Sequence, residues 1–292
     1  MARSAGHYRS AVLSTLLDLA EGSPLPLPEA LVSRYGGRLA FPALDRPYVF
    51  ANFVSTLDGI TSYALPGRSG AALISEHKEA DRFLLGLLRA CADVVVVGAG
   101  TLRAEGKHVW TAAHVYKPAA ADFAALRSAM GKPEHPLVAF VTASGKVDLG
   151  LPAFRGPGES VLITTDAGAA RLGTLPPRVR VHVIAGASRA HGNADGARPS
   201  AREVLDAVVA ESGARLVLTE GGPALLGAWL RESLVDELFL TVAPRLAGRS
   251  PEERRLALVE GAAFTPEDAP RGRLLSAKRA DDYLFLRYAL RG

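Results

Sequence analysis

Four consecutive valines followed by a glycine-rich turn constrain the fold of this 292-residue chain more than any other feature. The run Val94–Val97 is apolar without alternation, which is typical of a central parallel strand covered on both faces. The preceding residues 80–91 carry apolar side chains at i, i+3 and i+4 spacing. That spacing predicts an amphipathic helix with Cys91 on its buried face. A helix that feeds a buried strand in this way indicates an α/β protein.

The rest of the chain repeats this alternation. Helices are predicted to begin at Ser75, at Ser200 with Glu203 completing a capping box, and at Pro223. Further strands are predicted at residues 48–54, 137–142, 161–165, 179–184, 216–219 and 235–242, and an antiparallel hairpin at 273–278 and 283–290. Residues 103–136 interrupt the pattern as a long excursion. We therefore predict a mostly parallel central sheet flanked by helices, with a C-terminal antiparallel hairpin.

The first 45 residues offer no chemistry of their own. Apolar residues between positions 9 and 20 recur at helical spacing, and a proline-rich turn at 24–28 interrupts them before a second short helix. We therefore expect residues 1–45 to form a helical extension that packs on the main body or on a second subunit. The main body is expected to span residues 46–292.

Composition excludes several classes of protein. The 34 Lys and Arg residues exceed the 30 Asp and Glu residues by only four and form no block, so a nucleic-acid partner is not expected. The single cysteine excludes an internal disulfide, and the seven histidines show no metal-ligand spacing, so no metal is expected. No apolar run approaches membrane-spanning length and the first residues lack an apolar stretch. The expectation is a soluble, cytoplasmic protein without a membrane partner.

Two strand–glycine–helix junctions are the strongest functional signal. One is Val97-Gly98-Ala99-Gly100-Thr101, and the other is Thr219-Glu220-Gly221-Gly222-Pro223. Glycines after a buried strand let backbone amides approach a ligand, and ligands of open α/β sheets bind beyond the carboxyl ends of the strands. The two junctions together favour one site for a phosphorylated or dinucleotide ligand over two tight turns. A Rossmann fingerprint is not met, because position 103 is arginine.

Three carboxylates stand just beyond predicted strands, at Asp58, Glu105 and Glu220. Asp58 could orient a substrate or supply a proton, and it could equally belong to a plain turn. Glu220 is harder to explain as a turn residue, since Asn or Asp would suit a turn better. For Glu105, sequence statistics alone favour a solvated loop charge. Without a metal, a P-loop or a nucleophile elbow, an anionic cofactor points toward hydride transfer.

Five motifs in order carry a family resemblance. They are Asn52-Phe53-Val54-Ser55-Thr56-Leu57-Asp58-Gly59, Leu88-Arg89-Ala90-Cys91-Ala92-Asp93-Val94, the two glycine junctions, and Leu234-Val235-Asp236-Glu237-Leu238 with Ala243-Pro244. Over residues 46–292 the set resembles the riboflavin-pathway pyrimidine reductases of the dihydrofolate-reductase-like superfamily. The resemblance implies that fold, a homodimer, and NADPH-dependent reduction of 5-amino-6-(5-phosphoribosylamino)uracil or its 2,5-diamino pyrimidinone analogue. Hydride would reach C1′ of the opened ribosyl group and leave a ribitylamino chain.

The resemblance also implies roles for individual residues. The residues expected to bind NADPH are Gly98, Gly100, Thr101, Glu105, Ser144, Gly145, Lys146, Thr164, Thr165, Glu220, Gly221 and Gly222. Those expected at the substrate are Asn52, Ser55, Asp58 and Ser69, with Asp58 and Glu220 as the catalytic pair. The phosphorylated substrate is the expected partner.

Departures from the family pattern leave the substrate open. Asn52 stands where many bacterial members have lysine, Gly86 stands where histidine is usual, and the zinc deaminase half with its His-x-Glu and Pro-Cys-x-x-Cys is missing. One alternative is a reductase of the same fold that acts on a pterin, a dihydrofolate-like compound or another small imine or carbonyl. Another is a non-catalytic NADP-binding module with the N-terminal extension as its interaction surface.

Overall fold

The computed structural model describes residues 12–65, 70–186 and 198–290. The strands are β1 (Ser14–Asp18), β2 (Ser23–Pro24), β3 (Ala40–Phe41), β4 (Tyr48–Ser55), β5 (Ile60–Ser62), β6 (Val94–Gly98), β7 (Leu137–Val141), β8 (Ser160–Thr165), β9 (Val179–Ile184), β10 (Leu216–Thr219), β11 (Glu237–Val242), β12 (Leu256–Ala257), β13 (Arg273–Ala280) and β14 (Tyr283–Ala289). The helices are α1 (Glu29–Tyr35), α2 (Gly70–Ser75), α3 (Glu79–Cys91), α4 (Ala99–Ala104), α5 (Ala112–Val115), α6 (Ala120–Ala129), α7 (Asp166–Ala169), α8 (Ala201–Ser212) and α9 (Gly222–Arg231). Short 3₁₀ turns lie at Lys117–Ala119 and Pro152–Phe154.

A ten-stranded sheet organises these elements, in the order β1-β13-β14-β11-β4-β10-β6-β7-β8-β9. Neighbouring strands are parallel from β11 through to β9. The β13–β14 hairpin is antiparallel to β11, and β1 is antiparallel to β13. The predicted α/β fold with a mostly parallel sheet and a C-terminal antiparallel hairpin is therefore confirmed.

The valine run explains why the sheet has two cores. All four valines of β6 have zero exposed surface. Val95 and Val97 belong to the core under α3, whereas Val94 and Val96 belong to the core under α8 and α9. Side chains of a strand alternate between faces, so an unbroken apolar run is needed where both faces are covered. Cys91 is fully buried as predicted, and burial raises the pKa of its thiol to about 12.

The N-terminal prediction is wrong over residues 14–18, which form strand β1 instead of a helix. Pairing with the open edge of β13 supplies backbone hydrogen bonds that outweigh the local helical spacing. The same helix was predicted to include residues 9–11, which lie outside the described residues. The second predicted helix is confirmed as α1. Through β1, the N-terminal segment thus contributes an edge strand to the main sheet, whereas β2 and β3 pair only with each other.

The start of α3 also differs from its prediction. Ser75 ends α2, and α3 begins only at Glu79, after Lys78. Glu76 and His77 between them have left-handed φ angles of 51° and 56°, which break the helix there.

The predicted capping box at the start of α8 is confirmed: Glu203 N donates to Ser200 Oγ at 3.1 Å, and Ser200 N donates to Glu203 Oε2 at 2.7 Å.

The excursion at residues 103–136 is mostly helical. It contains α5 and α6, and both pack on α3. None of the helices in the described part of the chain is long and apolar enough to cross a membrane.

Candidate active site

The carboxyl ends of the parallel strands lie along one edge of the sheet, and most of the predicted site residues follow those ends. Residues after β10 and β6 form one group at this edge, and residues after β7 and β8 form a second. Strands are spaced about 4.8 Å apart, so β10 to β8 spans roughly 15 Å. Such a span suits an extended ligand that lies across several strand ends.

The two glycine junctions lie in contact with each other, which is the arrangement that the predicted shared ligand site requires. A Cβ atom added to Gly98 would lie only 2.9 Å from the carbonyl oxygen of Gly221. A Cβ atom on Gly222, whose φ is +73°, would lie 2.7 Å from Thr101 Oγ1. Gly100 differs, because a Cβ atom there would have no neighbour within 4 Å. The first contacts require glycine for packing, whereas the space beside Gly100 is open.

Glu220 follows β10 and is held by an arginine from α3. Arg89 Nε donates to Glu220 Oε1 at 2.7 Å, and Arg89 Nη2 donates to Glu220 Oε2 at 2.6 Å. The Arg89 side chain is 1% exposed and that of Glu220 is 8% exposed. A bidentate pair at this burial fixes the plane of the carboxylate. Sequence reasoning missed Arg89 as a site residue, although it lies within one of the motifs quoted above.

A histidine from the excursion extends this arrangement. His108 Nε2 lies 2.9 Å from Arg89 Nη1, and His108 Nδ1 lies 3.8 Å from Glu105 Oε2. The His108 ring also meets the rings of Trp110 and His114 edge-on, with centroids 4.8 Å apart in both cases. Burial, then the charge of Arg89 and the neighbouring His114, lowers the pKa of His108 to about 2. The imidazole is therefore neutral, and no signal in the sequence pointed to it.

Asn52 lies in β4 beside this group. The register pairs Thr219 with Ala51, which places Asn52 level with Glu220. Asn52 Oδ1 is buried without a hydrogen-bond partner. A buried acceptor left unpaired in this way is suited to a donor on a ligand. Ser55, three residues further on, has the opposite side-chain parity in β4 and so faces the other side of the sheet.

Asp58 is an anchor for a loop. Its Oδ1 accepts from Thr56 Oγ1 at 2.5 Å and from Ala247 N at 3.0 Å, and its Oδ2 accepts from Gly248 N at 2.6 Å. The Thr56 hydroxyl, followed by the amides of Ala247 and Gly248, lowers the pKa of Asp58 to about 2. The carboxyl group is thus ionised near neutral pH and has no proton to give. Of the two interpretations left open by the sequence, the geometry favours the turn.

The second group comes from the end of β8 and the loops after β7 and β8, which are joined by hydrogen bonds. Thr165 Oγ1 donates to the Ala143 carbonyl at 2.9 Å and accepts from Gly168 N at 3.1 Å. Thr164 is fully buried, and its hydroxyl has no hydrogen-bond partner. The hydroxyls of both threonines therefore lie inside the protein. The expectation that they contact a cofactor directly stays a prediction.

The other loop of this group is more exposed. Ser144 Oγ accepts from Lys146 N at 3.4 Å, and Gly145 has a φ of +65°. Arg171 Nη1 donates to the Ser144 carbonyl at 3.2 Å, so a second cation contacts the loop that contains Lys146. Sequence reasoning missed Arg171. Ser69, a predicted substrate residue, lies outside the described residues.

Solved structures of other proteins share this fold. A pyrimidine reductase-like protein of Corynebacterium diphtheriae is 19% identical, with a TM-score of 0.60 over 91% of this chain and 96% of that one. A deaminase/reductase of Thermotoga maritima, named for 5-amino-6-(5-phosphoribosylamino)uracil reduction, is 17% identical, with a TM-score of 0.58 over 84% of this chain. The chain spans 57% of the length of that relative. The riboflavin biosynthesis reductase of Saccharomyces cerevisiae is 14% identical, with a TM-score of 0.55 over 86% and 93% of the two chains.

These likenesses define the chain as an α/β protein with the fold of the reductase structures, and the sequence comparison goes one step further. The family model of the RibD C-terminal domain matches residues 47–266 of the 292. The chain therefore belongs to the RibD C-terminal domain family. No sequence among the curated proteins matches it significantly.

Proposed function

We propose that this protein is an NADPH-dependent reductase of the phosphoribosylamino-pyrimidine in riboflavin biosynthesis. The observation that carries the proposal is the meeting of the two glycine junctions beside Glu220 at the carboxyl edge of the sheet. Membership of the RibD C-terminal domain family supports the same reaction class. So do the structural relatives from Thermotoga maritima and Saccharomyces cerevisiae, which are named as reductases.

The residues present fit the cofactor. Gly100 leaves open space at the end of β6, where a side chain would obstruct a closely approaching phosphate or ribose. One strand further along the sheet, the loop after β7 carries Ser144 and Lys146, and Arg171 reaches this loop from beyond β8. Together they offer a hydroxyl and two cations for the phosphorylated adenosine end. Bound there, NADPH would supply the hydride. Glu105 and Thr101 would line the segment between the two ends.

Glu220 and Asn52 would hold the substrate. Both present oxygen acceptors at the same level of neighbouring strands, and Asn52 Oδ1 has no internal partner. Amino and hydroxyl groups of a ribosylamino-pyrimidine are the donors that such a pair would accept. A fixed acceptor pair orients the substrate and so raises the fraction of bound complexes in reactive geometry.

We further propose that the protein acts as a homodimer, as the resemblance implies. An apolar face of the sheet that extends beyond the helices, across β11, β14, β13 and β1, supports this assembly.

The test begins with separate titrations of NADPH and NADH, followed through tryptophan fluorescence. Both tryptophans are buried, on opposite faces of the sheet. The indole of Trp110 lies against His108 and is expected to report binding, whereas Trp229 lies in the core under α8 and α9. Trp110→Phe is the matched control, because it should remove the signal and retain NADPH-dependent turnover.

Turnover is then assayed with the enzymatically prepared phosphoribosylamino-pyrimidine, and with dihydrofolate for comparison. Saturable binding that prefers NADPH, with turnover of the pyrimidine alone, is the expected result. Turnover of dihydrofolate alone would favour the alternative of a same-fold reductase that acts on a pterin or a dihydrofolate-like compound. Tight NADPH binding without turnover of either compound would favour a binding module, and no binding of either nucleotide would overturn the proposal.

A further inference from the structure

The hydrogen bond between Arg89 and His108 determines the state of the histidine. A guanidinium group has donors only, so Arg89 Nη1 must donate and His108 Nε2 must accept. An imidazole that accepts at Nε2 and remains neutral carries its proton on Nδ1, the atom that faces Glu105 at 3.8 Å. Geometry alone therefore assigns the neutral Nδ1–H tautomer.

The same bond restricts the guanidinium from a second side. Nε and Nη2 of Arg89 are taken by Glu220, and Nη1 is shared between His108 and the Thr111 carbonyl at 3.4 Å. A guanidinium held on both sides has little freedom to rotate. The Glu220 carboxylate accepts from two donors of this guanidinium, so the plane of the carboxylate is fixed as well. A buried charge without such partners would be costly, so the network must form as a unit.

From these contacts we infer that Arg89 and His108 are positioning residues for Glu220. His108, as a neutral acceptor, fixes the guanidinium of Arg89, and Arg89 holds the Glu220 carboxylate toward the substrate. The inference rests on the proposed function, in which Glu220 contacts the substrate. It also gives the excursion at residues 103–136 a role, because its first loop carries His108.

The excursion is built to hold that loop in place. Trp110 and Thr111 are buried directly after His108, and Trp110 packs edge-on against Phe140 in β7 with ring centroids 5.3 Å apart. Thr111 caps α5 by accepting from His114 N at 3.2 Å. The charged or titratable groups that face His108 are Arg89 from α3, His114 from α5 and Glu105 at the end of α4.

The first experiment needs no substrate. Nitrogen-15 NMR of histidine-labelled protein should give His108 the shifts of a neutral Nδ1–H ring that does not titrate between pH 8 and pH 5. His108→Gln assigns the signal. A His108 ring that gains a proton within this interval would overturn the inference, whatever the enzyme does.

The second experiment is a double-mutant cycle on kcat/KM. His108→Leu removes the acceptor and is expected to lower kcat/KM roughly tenfold to hundredfold, the range for a lost hydrogen bond to a charged group. His108→Gln, whose amide oxygen can accept in place of Nε2, should recover most of the loss. NADPH affinity should change less than about twofold in both variants, because the network orients Glu220 and not the cofactor. Removing the hydrogen-bonded His182 at the far strand β9, as His182→Leu, is the matched control and should leave kcat/KM unchanged.

In a Glu220→Gln background, His108→Leu should cost less than about threefold further, since both changes break one network. Additive losses would assign His108 a merely structural role and overturn the inference. Full activity of Glu220→Gln alone would instead remove Glu220 from the proposed function. An inactive wild-type protein would count against the proposed function, and the NMR result would then still decide whether His108 is the neutral acceptor that holds Arg89.

Discussion

Acidic residues next to the strands act differently because their partners differ. Asp93 Oδ2 accepts from the amides of Arg215 and Leu216 at 2.9 and 2.8 Å and so holds the start of β10. Asp236 Oδ2 accepts from Val49 N at 2.8 Å and holds β4 in the same way. Both belong to motifs that carry the family resemblance. Maintaining the structure of the sheet is therefore as much a role of those motifs as chemistry is. Glu220 differs, because it lies at the carboxyl edge of the sheet, where the site is proposed.

Asp58 gives a pH-dependent prediction at this scale. Its folded pKa of about 2 lies below the ordinary value of 3.8, so its hydrogen bonds stabilise the protein above about pH 4 and are lost as the pH falls toward 2. Asp58→Asn should be slightly less stable than wild type at pH 7, because an amide nitrogen would face an amide donor. The difference in the free energy of unfolding should shrink below pH 4, measured by urea denaturation. Asp282→Asn is the control, and a pH-independent difference would contradict the anchoring role.

The glycines of the first junction allow packing and binding to be separated. Gly98→Ala places a Cβ atom 2.9 Å from the backbone of Gly221, so it should lower the melting temperature. Gly100→Ala meets nothing within 4 Å and lies in the first turn of α4, where alanine is favoured over glycine by up to about 1 kcal/mol. Its melting temperature should hold or rise while NADPH affinity falls. Unchanged affinity in a folded Gly100→Ala protein would place the cofactor elsewhere.

Among the helices and strands, the sequence predicted those that are determined by interactions between residues close together in the chain. The capping box at Ser200 was readable because its two residues are three positions apart, and the valine run was readable because burial on both faces selects its composition. Strand β1 was not readable in this way, since the spacing of its apolar residues fits a helix. It is a strand because it pairs with the edge of β13, which lies far away in the sequence. In the site, the glycine junctions were predictable for the same local reason. The pairing of Arg89 with Glu220 joins residues 131 positions apart and leaves no trace in either segment.

Helix α8 carries a second cap that the sequence did not indicate. Glu232, just after α9, accepts from Ala201 N and Arg202 N at 2.8 Å each, so it completes the capping of the α8 N-terminus. Glu232→Ala should lower the free energy of unfolding by about 1 kcal/mol, comparable to the loss expected for Ser200→Ala. Urea denaturation measures both changes. NADPH affinity should be unaffected, and a Glu232→Ala protein as stable as wild type would show that solvent replaces this cap.

For the whole molecule, the two halves of the sheet are covered unequally. One face of the sheet carries the core under α8 and α9. On this face, α8 lies against β7, β8 and β9, and α9 lies against β6. An apolar row continues on this face past both helices, because the register aligns Leu240, Leu286, Ala277 and Leu17 across four strands. Leu17 and the nearby Leu284 are 36% and 37% exposed. Exposed apolar faces of this kind mark interaction surfaces.

A second copy of the chain is the partner that this face suits, since a flat apolar surface can meet itself across a two-fold axis. Light scattering after size exclusion should therefore give the mass of a dimer. Leu286→Asp introduces a charge at the centre of the row and should shift the protein to monomer, with unchanged far-ultraviolet circular dichroism. Leu175→Asp changes an equally exposed leucine away from the sheet face and should leave the dimer intact. Because the residues proposed to bind NADPH, among them Gly100, Ser144 and Lys146, all lie within one subunit, a folded Leu286→Asp monomer should still bind NADPH. A wild-type monomer, or a Leu286→Asp dimer, would assign this face to another role.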